Sequence, residues 1–234
     1  MAELHDPTGN HLLGALPSDG LARLLPYLEY IDLPLGAVLY ESGDVLLHVY
    51  FPVDCIVSLL YVLADGSSAE IAIVGNEGLI GIALFMGGET TPNRAIVQSA
   101  GGAYRLLGQR IKDEFHRNDT LHDLLLRYTQ ALITQMAQTA VCNRHHSVDQ
   151  QLCRWLLMSL DRLSSNQLNM TQELIANMLG VRREGVTEAA GKLQRLGVIH
   201  YQRGHITVLD RPRLQALCCE CYAVVKKETD RLMR

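Results

Sequence analysis

The sequence predicts an α+β fold made of an N-terminal antiparallel β-roll of the jelly-roll type, a long helix and a C-terminal winged helix-turn-helix. Three observations predict it. Between residues 30 and 107, short runs rich in β-branched residues are separated by Gly, Pro and Asp. Residues 121–143 contain neither Gly nor Pro. Residues 170–213 combine two helical patterns around Gly180 with two short alternating strands.

Charge is distributed unevenly along the 234 residues, whose net charge is −4. Residues 1–143 carry 7 Lys and Arg against 16 Asp and Glu, a balance of −9. Residues 144–213 carry 10 against 6, a balance of +4. Residues 214–234 carry 4 against 3. A basic excess concentrated in the region of the predicted helix-turn-helix is what attraction to the DNA backbone requires. The hydrophobic content of 48% is ample for packed cores.

The N-terminal region, residues 1–118, is predicted to be the β-roll with flanking short helices. One or two short helices are expected over residues 11–30 and another over 108–117. Strands are expected at 38–40, 49–51, 56–63, 69–74, 95–99 and 103–107. Short strands at regular spacing, separated by turns, indicate a barrel or jelly roll.

The middle segment, residues 119–146, is predicted to be a long helix followed by a hinge at His145 and His146. Apolar and small polar residues recur along it at alternating three and four spacing, which is typical of a packed helical seam. We interpret this helix as a dimerisation helix; the alternative is a core helix of a monomer. The residues expected at the dimer seam are Leu125, Tyr128, Leu132, Gln135, Met136 and Thr139.

Residues 147–234 are predicted to form a winged helix-turn-helix with a terminal helix over 212–233. Thr171 is a suitable N-cap for the first helix, and Gly180 ends that helix where a tight turn is needed. Two strands around Arg203 and Gly204 then form the wing. The alternative is an ordinary pair of helices before a hairpin. The residues expected to contact DNA are Thr171, Arg182, Arg183, Glu184, Thr187, Glu188, Lys192 and Arg203.

This order of elements resembles the Crp/Fnr family of bacterial transcription regulators across nearly the whole chain. The C-terminal resemblance is carried by Thr171, Glu173, Ile175, Ala176, Leu179, Gly180, Arg183, Glu184 and Val186. The N-terminal resemblance is carried by Gly36, Gly78, Gly81, Leu84, Phe85, Arg94 and Ala95. The resemblance implies a homodimer that binds a near-palindromic operator in double-stranded DNA, has RNA polymerase as a partner and senses an effector through residues 1–118. The six cysteines show no disulfide-scaffold spacing, so we expect a cytoplasmic protein.

The resemblance also assigns roles to three residues of the second helix. Arg183 and Glu184 match positions that read guanine and cytosine edges, which suits a donor and an acceptor side chain. Glu188 falls at a third base-reading position that is often Arg in the family, so a different operator is expected.

By the same resemblance, an effector would lie against Gly81, Ile82, Ala83, Arg94, Ala95 and Met136. In cyclic-nucleotide members of the family, Ile82 would be a glutamate that accepts the ribose hydroxyl, and Ala95 would be a hydroxyl donor to the phosphate. Losing a buried hydrogen-bond partner costs about 1–3 kcal/mol. Cyclic AMP is therefore disfavoured, and the effector stays unidentified. Arg94 could instead form an ion pair with Glu89 or Glu77.

No cofactor motif is recognised. Cysteines are not clustered near the N-terminus as an iron–sulfur cluster of this family would need, and neither His48 nor His116 lies in a haem motif. Cys142, His145 and His146 have ligand spacing on one helical face, but a surface histidine pair is the preferred interpretation, and no metal site is predicted. The remaining cysteines of interest, Cys218, Cys219 and Cys221, are interpreted as small buried hydrophobic residues of undefined role.

Two other classes of protein fit the sequence less well. A cupin-like enzyme would need several His and carboxylate ligands inside the roll, and His48 is the one histidine between His11 and His116. A protein-interaction module without DNA binding would leave the basic residues of the C-terminal region without a target. The start of the sequence shows no signal peptide, and its longest uncharged run, residues 128–143, is rich in Gln and Thr, so no membrane span is expected.

Overall fold

The computed structural model describes residues 6–233. Two antiparallel sheets form the N-terminal β-roll, as predicted. One contains β1 (Glu29–Leu33), β3 (His48–Pro52) and β7 (Gly101–Leu107) in the order β1-β7-β3. The other contains β2 (Val38–Tyr40), β4 (Ile56–Val62), β5 (Ser68–Val74) and β6 (Arg94–Ser99) in the order β2-β6-β4-β5. Short helices α1 (His11–Gly14), α2 (Ser18–Leu24) and α3 (Gly108–Phe115) flank the roll.

The sheet that contains β4 is covered on both faces. Val57 and Leu59 of β4 point into the core of the roll, whereas Ile56 and Leu60 belong to the core of the C-terminal domain. Successive side chains of a strand point to opposite faces. This double burial explains why apolar residues occupy both faces of the strand, with only the buried Ser58 between them, and why the strand does not alternate with exposed polar residues over its first five positions.

The long helix α4 extends over Thr120–His145, where the sequence predicted it. The side chain of Asp119 caps it by accepting a hydrogen bond from the Leu121 amide at 3.1 Å. Gly78 lets the helix approach the roll closely, because a Cβ at that position would lie 2.2 Å from the Tyr128 ring. The Tyr128 hydroxyl donates a hydrogen bond to the Leu79 carbonyl at 2.9 Å.

The chain itself covers most of the residues expected at the dimer seam. Of the six residues predicted to form it, Met136 is half-buried and five are buried within the chain's own core: Leu125, Tyr128, Leu132, Gln135 and Thr139. The apolar surface of α4 is wider than one seam, and the roll covers the side to which these residues belong. The opposite side of the helix exposes Leu126 and Ile133, with 48% and 53% of their surface accessible.

The C-terminal domain follows α4 without a long linker. Its elements are α5 (Val148–Leu160), β8 (Gln167–Asn169), α6 (Gln172–Leu179), α7 (Arg183–Arg195), β9 (Ile199–Gln202), β10 (His205–Val208), α8 (Arg211–Leu217) and α9 (Glu220–Leu232). The three strands form one antiparallel sheet in the order β8-β10-β9. The strand β8 was not predicted, because three residues are too few to show alternation. None of the helices in residues 6–233 has the length and apolar character needed to cross a membrane.

The predicted terminal helix is two helices. Cys218 and Cys219 have extended backbone between α8 and α9, and this break turns α9 back along α4. The side chains of Gln130 on α4 and Glu228 on α9 lie 3.5 Å apart. A 3.6-residue periodicity alone did not reveal this break, since neither cysteine is a turn residue.

Candidate nucleic-acid interface

The helix-turn-helix is formed by α6 and α7. Thr171 caps α6, because its hydroxyl oxygen accepts a hydrogen bond from the Leu174 amide at 3.2 Å. Gly180 follows α6 with a φ of 64°, in the left-handed region that glycine adopts without steric cost. The amide of Val181 then returns a hydrogen bond to the Ala176 carbonyl at 3.0 Å. These local interactions set the sharp turn between the two helices.

One side of α7 packs into the C-terminal core and the other is open to solvent. The buried residues are Val186, Ala189, Ala190 and Leu193. The solvent-facing residues, at helical spacing on the opposite side, are Glu184, Thr187, Glu188 and Arg195. A helix with one open polar face and a packed rear face is suited to lie in the major groove of DNA.

The predicted base-reading residue Arg183 occupies the first turn of α7. Its side chain is 65% exposed, and its Nε lies 3.9 Å from a carboxylate oxygen of Glu173 on α6, which is 62% exposed. An exposed ion pair of this length contributes little to stability. Arg182 is the N-cap of α7 and makes no side-chain capping bond. Both guanidinium groups are therefore available to an anionic partner.

Two other predicted contact residues are already engaged within the chain. The Thr187 hydroxyl lies 2.7 Å from the Gln172 side-chain oxygen and 3.0 Å from the Arg183 carbonyl. Lys192 forms an ion pair with Asp149 of α5, which raises the pKa of the lysine. Lys192 consequently lies at the flank of α7 toward α5, not on its open face.

The wing is the hairpin of β9 and β10, which a two-residue β-turn connects. Gln202 pairs with His205, and Arg203 and Gly204 between them have φ values of 52° and 83°. Positive φ at both central residues defines a type I′ turn, whose twist suits a hairpin. The Tyr201 hydroxyl anchors the wing by donating to the Met170 carbonyl at 2.7 Å. Arg203 is thus presented, exposed, at the tip.

Arg195 is not among the eight residues expected to contact DNA, although the sequence places it with the basic residues of this region. This arginine is exposed near the C-terminal end of α7, on the same open face as Glu184 and Glu188. Its position eleven residues after Glu184, which returns it to the same helical face, was the available signal. With Arg182, Arg183 and Arg203, it offsets the two glutamates of this face.

The residues expected around an effector do not all line the same cavity. Gly81, Ile82, Ala83 and Met136 line one small cavity between the roll and α4, with a volume of about 50 Å³. Arg94 instead forms an ion pair with Glu41 at 3.2 Å, so the expected pairing with Glu89 or Glu77 is wrong. Ligand pockets typically measure about 300–1,000 Å³. The cavity as it stands is too small for a nucleotide.

Arg94 and its neighbour Ala95 do not line this cavity. Ala95 is fully buried in β6, where it belongs to the core of the roll. The other two acidic groups near the expected site are also paired: Glu89 lies 3.2 Å from Lys112, and Glu77 lies 2.6 Å from Arg162.

A buried polar network joins the roll to α5. The Ser58 hydroxyl donates to the Glu70 carboxylate at 2.6 Å, and the Gln98 amide donates to the Ser159 hydroxyl at 3.1 Å. Burial raises the pKa of Glu70 to about 7. Arg154 of α5 is also buried and lies 3.2 Å from the Thr139 hydroxyl. The C-terminal domain is therefore attached to the roll by polar as well as apolar contacts.

Comparison with known proteins gives one family match. The family described as the Crp-like helix-turn-helix domain matches residues 150–217. This range contains α6, α7 and the wing, where the interface residues lie. A search among curated proteins found no match.

Several solved structures have a similar fold. FixK2 from Bradyrhizobium japonicum is 16% identical with a TM-score of 0.71, over 82% of this chain and 98% of that one. A CRP-family regulator from Thermus thermophilus is 17% identical with a TM-score of 0.66, over 80% and 95%. A Crp/Fnr-family regulator from Eubacterium rectale is 18% identical with a TM-score of 0.64, over 88% and 96%. The chain therefore has the fold of the Crp/Fnr transcriptional regulators over most of its length and contains a Crp-like helix-turn-helix domain.

Proposed function

We propose that this chain is a sequence-specific transcription regulator that binds double-stranded DNA. The observation that carries the proposal is the open face of α7. Arg182 and Arg183 at its start are free of strong intramolecular partners, and Glu184 lies beside them. Arginine can donate to guanine in the major groove and glutamate can accept from cytosine. The free amides at the start of α7 favour a phosphate nearby.

The wing supports the same proposal. Arg203 at its tip adds a further positive charge beside α7, where the backbone of the duplex would lie. The local balance of +4 in residues 144–213, against −9 in residues 1–143, orients the C-terminal domain toward DNA. Phosphate contacts of this kind position the protein, and the first turn of α7 supplies the sequence preference.

We infer that the active form is a homodimer paired through α4. The side of α4 that the roll leaves open carries Leu126, Ile133, Ala137 and Ala140, whose spacings return them to one helical face. A second copy of the helix would cover this apolar stripe. Two reading helices related by a two-fold axis bind half-sites roughly 34 Å apart, which matches a near-palindromic operator.

We also propose that the roll controls the regulator through β4. Leu59 of this strand lines the cavity beside α4, whereas its neighbours Ile56 and Leu60 contact the C-terminal domain. An effector that widens the cavity would displace the strand on which the DNA-binding domain rests. Mass spectrometry of small molecules released from the denatured protein would identify such an effector. RNA polymerase would be the further partner of a regulator of this kind.

Selection from a random duplex library, followed by anisotropy titrations at several salt concentrations, tests the proposed function. We expect enrichment of a two-fold symmetric site and an affinity that falls as salt rises, because bound phosphates release counterions. Equal affinity for the selected site and its scrambled version would refute sequence-specific recognition. Absence of any DNA binding would favour a protein-interaction module.

A further inference from the structure

Four metal-ligating side chains converge where α4 ends and α9 begins. Cys142 and His146 are four residues apart at the end of α4, and Cys219 and Cys221 lie at the start of α9. Their ligand atoms all lie within 4.8 Å of one another, the one such group in residues 6–233. All three thiols are free and buried. The group brings together residues that are 77 positions apart.

The distances within the group fit a tetrahedral site. Zinc bonds of about 2.3 Å to sulfur and about 2.0–2.1 Å to nitrogen imply tetrahedron edges of about 3.8 Å between sulfurs and about 3.5 Å between sulfur and nitrogen. The sulfurs of Cys142 and Cys219 are 3.6 Å apart. The sulfur of Cys221 lies 3.5 Å from Nδ1 of His146. Two opposite edges therefore already have the required lengths.

The imidazole is held in the orientation that a ligand needs. Nε2 of His146 lies 3.3 Å from a carboxylate oxygen of Glu220, so Nε2–H can donate to that carboxylate and leave the Nδ1 lone pair toward the thiols. A carboxylate that fixes the tautomer of a histidine is the usual second partner of a metal-bound imidazole. His145 is exposed and does not belong to the group.

The N-terminal end of α9 acts in favour of the charged form of two of the three thiols. Cys219 is the N-cap of α9 and Cys221 lies in its first turn. The positive end of a helix stabilises a thiolate, which is the form that binds metal. If these cysteines were only small hydrophobic residues, their burial would be explained. The imidazole beside them and its carboxylate partner would not be. Cys218, the third cysteine of this stretch, is only half-buried and outside the group.

We propose that Cys142, His146, Cys219 and Cys221 bind one zinc ion as a structural site of three thiolates and one imidazole. Three sulfur ligands and one nitrogen ligand in a closed tetrahedral arrangement suit this metal. Binding displaces the protons of the three thiols to solvent. The ion would connect the end of α4 to α9 beside the break between α4 and α5 at His146 and Ser147, and so fix where the C-terminal domain begins. This site goes beyond the proposed function and does not depend on DNA binding.

Metal content and cobalt substitution of the full-length protein test the proposal directly. We expect elemental analysis to give one zinc per chain after exhaustive dialysis. Reduced, metal-free protein titrated with Co²⁺ should develop the visible bands of tetrahedral cobalt and a thiolate-to-cobalt charge-transfer band, saturating at one equivalent. Because this titration uses the unaltered sequence, a folding defect in a variant cannot explain its result. No tetrahedral spectrum would overturn the proposal.

Variants then test the ligand set. Cys142→Ser and Cys221→Ser should lose the stoichiometric ion, whereas Cys218→Ser, the matched control, should retain it. Glu220→Gln should retain the ligands but weaken metal affinity about 10–100-fold, as changes to the partner of a metal-bound histidine do. Loss of the ion in Cys218→Ser as complete as in Cys221→Ser would refute the assignment. A disulfide between Cys142 and Cys219 in protein isolated under reducing conditions with Zn²⁺ supplied would also overturn it.

Discussion

The side chain of Gln135 forms two hydrogen bonds with the backbone of Ile73: its oxygen accepts from the Ile73 amide at 2.9 Å and its nitrogen donates to the Ile73 carbonyl at 3.1 Å. This pair joins the middle of α4 to β5 at the edge of its sheet. An edge strand has unpaired backbone groups, and a primary amide satisfies one donor and one acceptor at once. The contact therefore holds this side of α4 against the roll.

The first prediction concerns the side of α4 that remains free. Ile133→Asp should convert the dimer into a monomer, because it places a charge in the middle of the exposed apolar stripe without entering the core of the single chain. Sedimentation equilibrium measures the result. Thr120→Asp, which adds the same charge to the exposed start of the helix, should leave the dimer unchanged. An Ile133→Asp protein that still sediments as a dimer would place the interface elsewhere.

The second prediction concerns pH and the buried Glu70. Its pKa is raised from 4.5 to about 7, because burial disfavours the carboxylate although Ser58 and Arg154 partly stabilise it. The folded state therefore holds a proton that the unfolded state releases. Protonated Glu70 makes its full contribution to the free energy of unfolding below pH 4.5, and this contribution is lost as pH rises through about 7. A pKa difference of two to three units between the folded and unfolded states corresponds to roughly 3 kcal/mol in the free energy of unfolding.

Glu70→Gln tests this relation because the amide keeps the shape but cannot ionise. Urea unfolding should show the variant about equal to the parent at pH 5 and more stable by roughly 3 kcal/mol at pH 8. Glu188→Gln, an exposed carboxylate on α7, serves as the control and should alter the pH dependence little. If the free energies of unfolding of Glu70→Gln and of the parent depended on pH in the same way, the prediction would be contradicted.

The third prediction separates base reading from phosphate binding. Arg183→Ala should weaken binding to the selected operator by about 1–3 kcal/mol. It should also reduce the preference for one base over the others at one position in each half-site. Arg182→Ala should weaken all sequences alike and reduce the salt slope by about one. Titrations on single-base variants at several salt concentrations measure both effects. Lys227→Ala, which removes an exposed charge on α9, is the matched control. A uniform loss from Arg183→Ala would exclude base reading.

The fourth prediction is that cyclic AMP does not bind in the roll. The cavity of about 50 Å³ is too small, and Ile82 at its wall has no hydrogen bond to offer a ribose hydroxyl. Calorimetry with the full-length protein should show no saturable heat at micromolar nucleotide. Arg94→Ala should behave identically, since the Arg94 guanidinium is paired with Glu41. Micromolar binding that Arg94→Ala abolishes would show that the pocket opens for the nucleotide.

The fold class and the candidate interface were largely accessible from the sequence. Thr171 caps α6, Gly180 adopts positive φ between the helices, and Gly204 completes the turn of the wing. Each of these features depends on residues within a few positions, so residue type and spacing were sufficient. The predictions of a β-roll, a long helix and a winged helix-turn-helix are confirmed in their order.

Interactions between distant segments were decided only by the tertiary structure. Periodicity identified α4 as a helix, but its apolar surface extends so far around the axis that no pattern could tell the side facing the roll from the free side. The same limit hid the group of Cys142, His146, Cys219 and Cys221, because the two pairs meet only when α9 turns back along α4. Local backbone preferences are encoded by neighbours in sequence, whereas the partner of a surface depends on which remote segment the complete chain packs against it.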